Sequence, residues 1–332
     1  MAASSAPKLL VTVDTEPDDQ WVRRPEITTE NIQRLPQLQE TFDRHGVRPT
    51  YFVSYAVACD PKAAAIIGRI HSRGRCEIGS HLHPWNTPPD FRIQGDVWES
   101  HPFLYQYPPD VQRSKFETLH TKLMDAFGLE PKSHRAGRYG LDAHGVRLLR
   151  ESGYRVDSSV TPMILWSDYI EPGAPAPDFR RAPLAVYELS NEDVCVPGHS
   201  DVLEVPVSVG YTRRMPRIML NWLKMRSVKN PAARALSAVL GVRKRWFRPR
   251  IDVSINEVES AARWLLGRGV GFLNMMFHSS ELVPNSQWCA TENEVRAFLE
   301  RIEEMLRLAE RLGCQPGVTL SEFAAGNSPE NL

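Results

Sequence analysis

Short apolar runs alternate along the first half of the chain with longer segments of helical period. Lys8–Asp14 reads as a buried strand. A helix is expected from Thr28 or Thr29, as N-cap, to about His45, with Gly46 as its stop and Pro36 splitting it. Thr50–Ser54 is a second strand. Asp60–Arg73 is a helix with Pro61 at its start, and Arg75–Gly79 a third strand. Residues 84–110, rich in proline and aromatics, read as a functional loop. Helix Val111–Phe127, strand Lys132–Arg135, helix Asp142–Glu151 and strand Tyr154–Asp157 continue the rhythm.

Beyond residue 160 the pattern loosens. Pro172–Pro177 reads as a turn or linker and Val202–Val209 as a strand. The rhythm returns with helix Ile255–Gly267, strand Gly271–Phe277, helix Glu292–Leu312 and a last strand near Val318. Strands alternating with helices imply parallel βαβ units, about seven strands in all. Asp14, His81, Arg135, Asp157 and His278 fall at or just past the C-terminal ends of expected strands. In a (β/α) barrel those ends share one mouth. A distorted barrel over residues 1–332 is therefore expected. No GxGxxG or GxxxxGK[ST] loop points to a nucleotide.

Composition changes little. Lysine plus arginine equals aspartate plus glutamate, 40 each, so net charge identifies no partner. The five cysteines, Cys59, Cys76, Cys195, Cys289 and Cys314, form no CxxC pair, which argues against a disulfide framework or a cysteine zinc site. Reduced thiols, and a start that does not read as a signal peptide, lead to the expectation of a cytoplasmic protein. Charge distribution matters more. Arg213–Arg250 holds twelve basic residues and no acidic one. Apolar Ile218, Leu220, Trp222, Leu223, Leu236, Val239 and Leu240 recur there at helical spacing. A basic helical insertion or cap over 210–250 is expected. It suits an anionic membrane surface or a lipid-linked or nucleotide-linked phosphate, with a plain solvated face as the alternative. No nucleic-acid-binding module is present.

Four segments carry candidate chemistry. Asp14-Thr15-Glu16 follows the first strand, and two carboxylates spaced by two face the same way on extended chain. His81-Leu82-His83-Pro84-Trp85 follows the third strand; His81 and His83 with Glu16 would offer two nitrogens and one oxygen to a metal. Arg135 ends the fourth strand, beside Gly137 and Gly140. His278 ends a late apolar strand, where it could protonate a leaving amine.

Together these segments resemble the polysaccharide deacetylase (NodB homology) family over about residues 8–320. The resemblance implies Asp14 as base, Glu16 as metal ligand, and His81 as a ligand from a motif usually spaced His-x-x-x-His. Here the second histidine is His83, and Trp85 holds the usual position. The resemblance also implies Arg135 as orienter of Asp14 and His278 as general acid. Trp85, Arg138, Tyr139 and Glu281 are the candidate substrate contacts. The activity implied is N-deacetylation of an acetylated amino sugar, with a divalent metal such as Zn2+, Co2+ or Ni2+. A formamide or cyclic-amide hydrolase on the same scaffold, and a barrel that only binds glycan, fit the same residues.

Overall fold

The computed structural model describes residues 6–19, 27–91, 93, 102–170 and 175–327. Of the expected turn at Pro172–Pro177, residues 172–174 lie outside these, as do 92 and 94–101 of the expected loop. The chain runs β1 (Lys8–Thr15), α1 (Leu35–Arg44), β2 (Thr50–Ser54), α2 (Tyr55–Cys59), α3 (Pro61–Ser72), β3 (Glu77–Leu82), α4 (Pro109–Phe127), β4 (Ser133–Ala136), α5 (Ala143–Glu151) and β5 (Val156–Asp157). It continues with β6 (Tyr187–Glu188), β7 (Leu203–Glu204), β8 (Val209–Tyr211), α6 (Arg217–Lys224), α7 (Pro231–Leu240), β9 (Lys244–Trp246), α8 (Ile255–Leu266), β10 (Phe272–His278), α9 (Glu292–Arg311) and α10 (Leu320–Ala325).

An eight-stranded sheet orders β10-β1-β2-β3-β4-β5-β7-β6 and curls into a distorted barrel. Neighbours pair in parallel except β6 with β7. The ring is completed by side chains rather than by a ladder. The backbone N–H of Asn274 on β10 donates to Ser208 Oγ at 2.9 Å, and Asn274 Nδ2 donates to Ser158 Oγ at 3.0 Å.

Several expectations are corrected in detail. Residues 30–34 form a 3₁₀ turn and α1 starts at Leu35, so Pro36 occupies the second position of a helix, where its missing N–H costs nothing. The strand expected near Val318 is instead the lead into α10. Thr319 and Glu322 form a capping box, each side chain accepting from the other's backbone N–H, and that commits the chain to a helix. The strand expected over Val202–Val209 breaks into β7 and β8, and β8 pairs antiparallel with β9 in a separate two-stranded sheet. The basic segment is therefore not wholly helical: α6 and α7 are an excursion between those two strands. Among the described residues no helix is long and apolar enough to cross a membrane.

Asp157 does not reach the barrel mouth as expected. Side chains alternate across a strand, and its neighbour Ser158 takes the inward position. Asp157 is buried, accepting from His134 Nδ1 at 2.7 Å and from Ser159 N at 2.6 Å. Glu204 on β7 stands beside it and accepts from Val160 N at 3.0 Å. Burial opposes ionisation of both. His134 and these hydrogen bonds hold Asp157 below the ordinary carboxylate range. Burial and then the Asp157 charge push Glu204 well above it, so Glu204 keeps its proton. An acid whose folded pKa is raised stabilises fully only below its unfolded value of about 4.3 and loses that contribution as pH rises toward the folded value. Glu204→Gln keeps the acceptor and cannot ionise. Its melting temperature relative to wild type should therefore climb between about pH 5 and pH 8. A constant difference across that range would mean that Glu204 is charged in the fold.

Candidate active site

The same alternation gathers the chemistry. The inward set includes Thr12 and Asp14 on β1, Phe52 and Ser54 on β2, His81 on β3, Arg135 on β4, and Asn274 and His278 on β10. Registers Asp14↔His278, Ser54↔His81 and His81↔Arg135 bring their ends to one level. Gly79 on β3 is required by this layer: a Cβ there would lie 2.4 Å from Ser133 Oγ and 2.7 Å from the Phe52 ring.

Arg135 is fully buried and lies across the barrel. It donates to Asp14 Oδ1 at 2.6 Å, to Ser158 O at 2.8 Å, and to Thr12 Oγ1 and Ser158 Oγ at 2.9 Å each. Its guanidinium stacks 4.6 Å from the Phe52 ring. Burial raises the pKa of Asp14, but Arg135, and then His81 and His278, outweigh it and hold the carboxyl ionised.

Beside Asp14, Glu16 Oε2 lies 3.6 Å from His81 Nε2 and 3.0 Å from His83 Nε2. Donor atoms of the three residues all fall within 4.8 Å of one another. The donor set is that of a catalytic zinc site. Two observations support the fit. Glu16 Oε1 is buried with no hydrogen-bond partner among the described residues, a costly state that a cation relieves. His81 Nδ1 lies 2.9 Å from the carbonyl oxygen of Arg135, which can only accept, so Nδ1 carries a proton and Nε2 is the nitrogen that faces Glu16 and would meet a cation. Burial and then the nearby His81 lower His83 to about 4, leaving it a neutral donor. Gly137 sets the position of His83: a Cβ there would lie 2.6 Å from His83 Nδ1 and 2.5 Å from Leu82 O.

On the other side of Asp14, His278 Nε2 stands 3.7 Å from Asp14 Oδ2. Its Nδ1 lies 3.0 Å from Arg248 Nη2 and 3.4 Å from Glu281 Oε1. A donor and a carboxylate thus flank one nitrogen.

These groups form the floor of a cavity of about 470 Å³, which Asp14, His81, His83 and His278 reach. Its walls are aromatic: Tyr139 and Trp166 stack at 5.0 Å, with Trp246 edge-on to both. Arg138 and Tyr139 also line the cavity. Both hold positive φ, 51° and 60°, a strained turn of the kind that collects at functional sites. The other two expected substrate contacts stand elsewhere. Glu281 is buried behind the wall, binding Arg248 at 2.8 Å. Trp85 packs on the His83 ring at 4.4 Å and does not line the cavity. Trp166, Trp288 and Gln287 do line it and went unread, since they sit in irregular segments with no periodic signal.

No family model and no curated protein matches the sequence. The fold does have solved counterparts. A structure assigned as a candidate polysaccharide deacetylase from Mycobacterium smegmatis is 16% identical, with a TM-score of 0.50 over 98% of this chain and 92% of that one. A candidate glycoside hydrolase/deacetylase from Parabacteroides distasonis is 14% identical, with a TM-score of 0.59 over 98% and 72%. The chain has the distorted-barrel fold of the polysaccharide deacetylases.

Metal analysis of the purified chain after incubation with zinc should find one equivalent, lost in His81→Ala and in Glu16→Ala. Gly137→Ala removes no ligand but displaces His83, so its zinc affinity should fall about 10- to 100-fold. Full zinc affinity in His81→Ala would eliminate this site.

Proposed function

We propose that the protein is a metal-dependent amide hydrolase that removes the acetyl group from an N-acetylated amino sugar. The observation that carries the reading is the placement of Asp14 between two different groups at one cavity floor. On one side stand Glu16, His81 and His83, and on the other His278. A divalent cation held by those three residues, Zn2+ in the first instance with Co2+ or Ni2+ as alternatives, would polarise the amide carbonyl and acidify a water. Asp14, kept ionised by Arg135, is the base that takes the proton of the attacking water. Arg135 cannot itself be deprotonated, so it orients Asp14 without competing for the proton. His278 delivers a proton to the departing nitrogen. The stacked walls of Tyr139, Trp166 and Trp246 present ring faces to a sugar and keep bulk water away.

A barrel that only binds glycan would not need an ionised buried carboxylate beside a second one whose Oε1 has no hydrogen-bond partner among the described residues.

Asp14→Asn should lower turnover of an N-acetylated oligosaccharide by at least about 100-fold while zinc content stays unchanged, and His278→Ala should lower kcat about 10²- to 10⁴-fold. Acetate release by wild type, read by a coupled assay, is the reference. Full activity in Asp14→Asn would remove Asp14 from the base role.

A further inference from the structure

A second groove of about 770 Å³ adjoins the catalytic cavity and shares Tyr169, Lys244, Arg245 and Trp246 with it. It lies on the basic segment, between α6, α7 and β9. Every charged residue on its wall is a cation: Arg226, Arg234, Arg243, Lys244 and Arg245. The cavity beside it adds Arg138, Arg248 and Arg250 against one carboxylate, Asp14, which Arg135 already neutralises.

Several of these cations have internal partners. Arg243 and Arg245 share Glu257 at 3.1 and 2.7 Å, Arg248 has Glu281 at 2.8 Å, and Arg250 has Asp252 at 2.7 Å. Arg226, Arg234 and Lys244 have no carboxylate at ion-pair distance among the described residues. Lys244 is the most telling of the three. It is partly buried where groove and cavity meet, and its ammonium donates to the carbonyl oxygen of Met163. Burial lowers it to about 8. Asp168, bonded to Ser227 and Val228 of the same wall, offsets only part of the cost of that burial and forms no ion pair with Lys244, so a bound anion would relieve the rest.

We infer that the amino sugar carries a phosphate ester, seated in this groove against Lys244, Arg226 and Arg234 while the acetamide reaches Asp14. The identity of the sugar rests on the hydrolase reading above; the anion site does not. A neutral glycan would use the aromatic walls and bring no anion to these three cations. A phosphate ester carries a charge of about −1.5 to −2 and three acceptor oxygens, and guanidinium groups match its geometry. The helices that wall the groove also expose Ile218 and Val239, 86% and 84% accessible, so an apolar chain on the phosphate would have surface to lie on.

Calorimetric titration of the full, zinc-loaded chain tests this. N-acetylglucosamine 1-phosphate should bind at least about tenfold more tightly than N-acetylglucosamine. Inorganic phosphate should compete with it. In Lys244→Gln/Arg234→Gln the preference should shrink to less than about threefold, with the melting temperature not lowered. Polyprenyl-phosphate-linked N-acetylglucosamine in micelles, compared with the soluble 1-phosphate, identifies which source of phosphate the groove prefers. Equal affinity of wild type for sugar and sugar 1-phosphate overturns the inference, and that result needs no variant. Tight binding of the 1-phosphate without acetate release would support the anion site and overturn the hydrolase reading instead.

Discussion

The buried guanidinium of Arg135 is the interaction on which the rest of the structure depends. Its side chain fixes Asp14 at 2.6 Å, while its own carbonyl fixes His81 at 2.9 Å. One residue therefore positions both the candidate base and a candidate metal ligand. It also ties β1, β2 and β5 to β4 through Thr12, Phe52 and Ser158. A charge this deep survives because four hydrogen bonds, one of them to a carboxylate, answer it. Leaving either partner alone would cost on the order of 3–5 kcal/mol, so fold and site cannot be separated here.

Electrostatic contrast follows from that arrangement. Asp14 and Glu204 are both buried acids near the ends of barrel strands, yet they hold opposite protonation states. Asp14 faces a guanidinium and two histidines; Glu204 faces another carboxylate. Burial pushes both the same way, and the neighbouring charge decides the outcome. The outer pair, Asp157 with His134, takes up the negative charge on the far side of the sheet and leaves the inner floor to Asp14 and Glu16.

The irregular segments wall the cavity. The regular strands supply the floor, but Trp166, Trp246, Lys244 and Trp288 reach the cavity from loops and from the small β8–β9 sheet. The excursion from β8 through α6 and α7 to β9 places a run of cations along one wall. A uniform barrel would leave that wall open.

Much of the architecture was legible along the chain, because period-2 and period-3.6 patterns report directly on which face of an element is buried. The alternation of strands and helices, and the polar residues Asp14, His81, Arg135 and His278 at strand ends, were readable for that reason. Local chemistry is legible too where a cap decides it: the Thr319–Glu322 box makes a helix of the segment that apolar Val318 alone suggests as a strand. Tertiary structure alone decided which residues meet. Sequence spacing says nothing of whether His83 can stand beside Glu16, since that depends on the close approach of Gly137 from the turn after β4. It placed Asp157 at the mouth, where the pleat turns it away, and Glu281 on the substrate, where Arg248 holds it behind the wall. Of the aromatic walls only Tyr139 was legible, for the same reason: their members are distant in sequence, lack periodicity, and are joined only by packing.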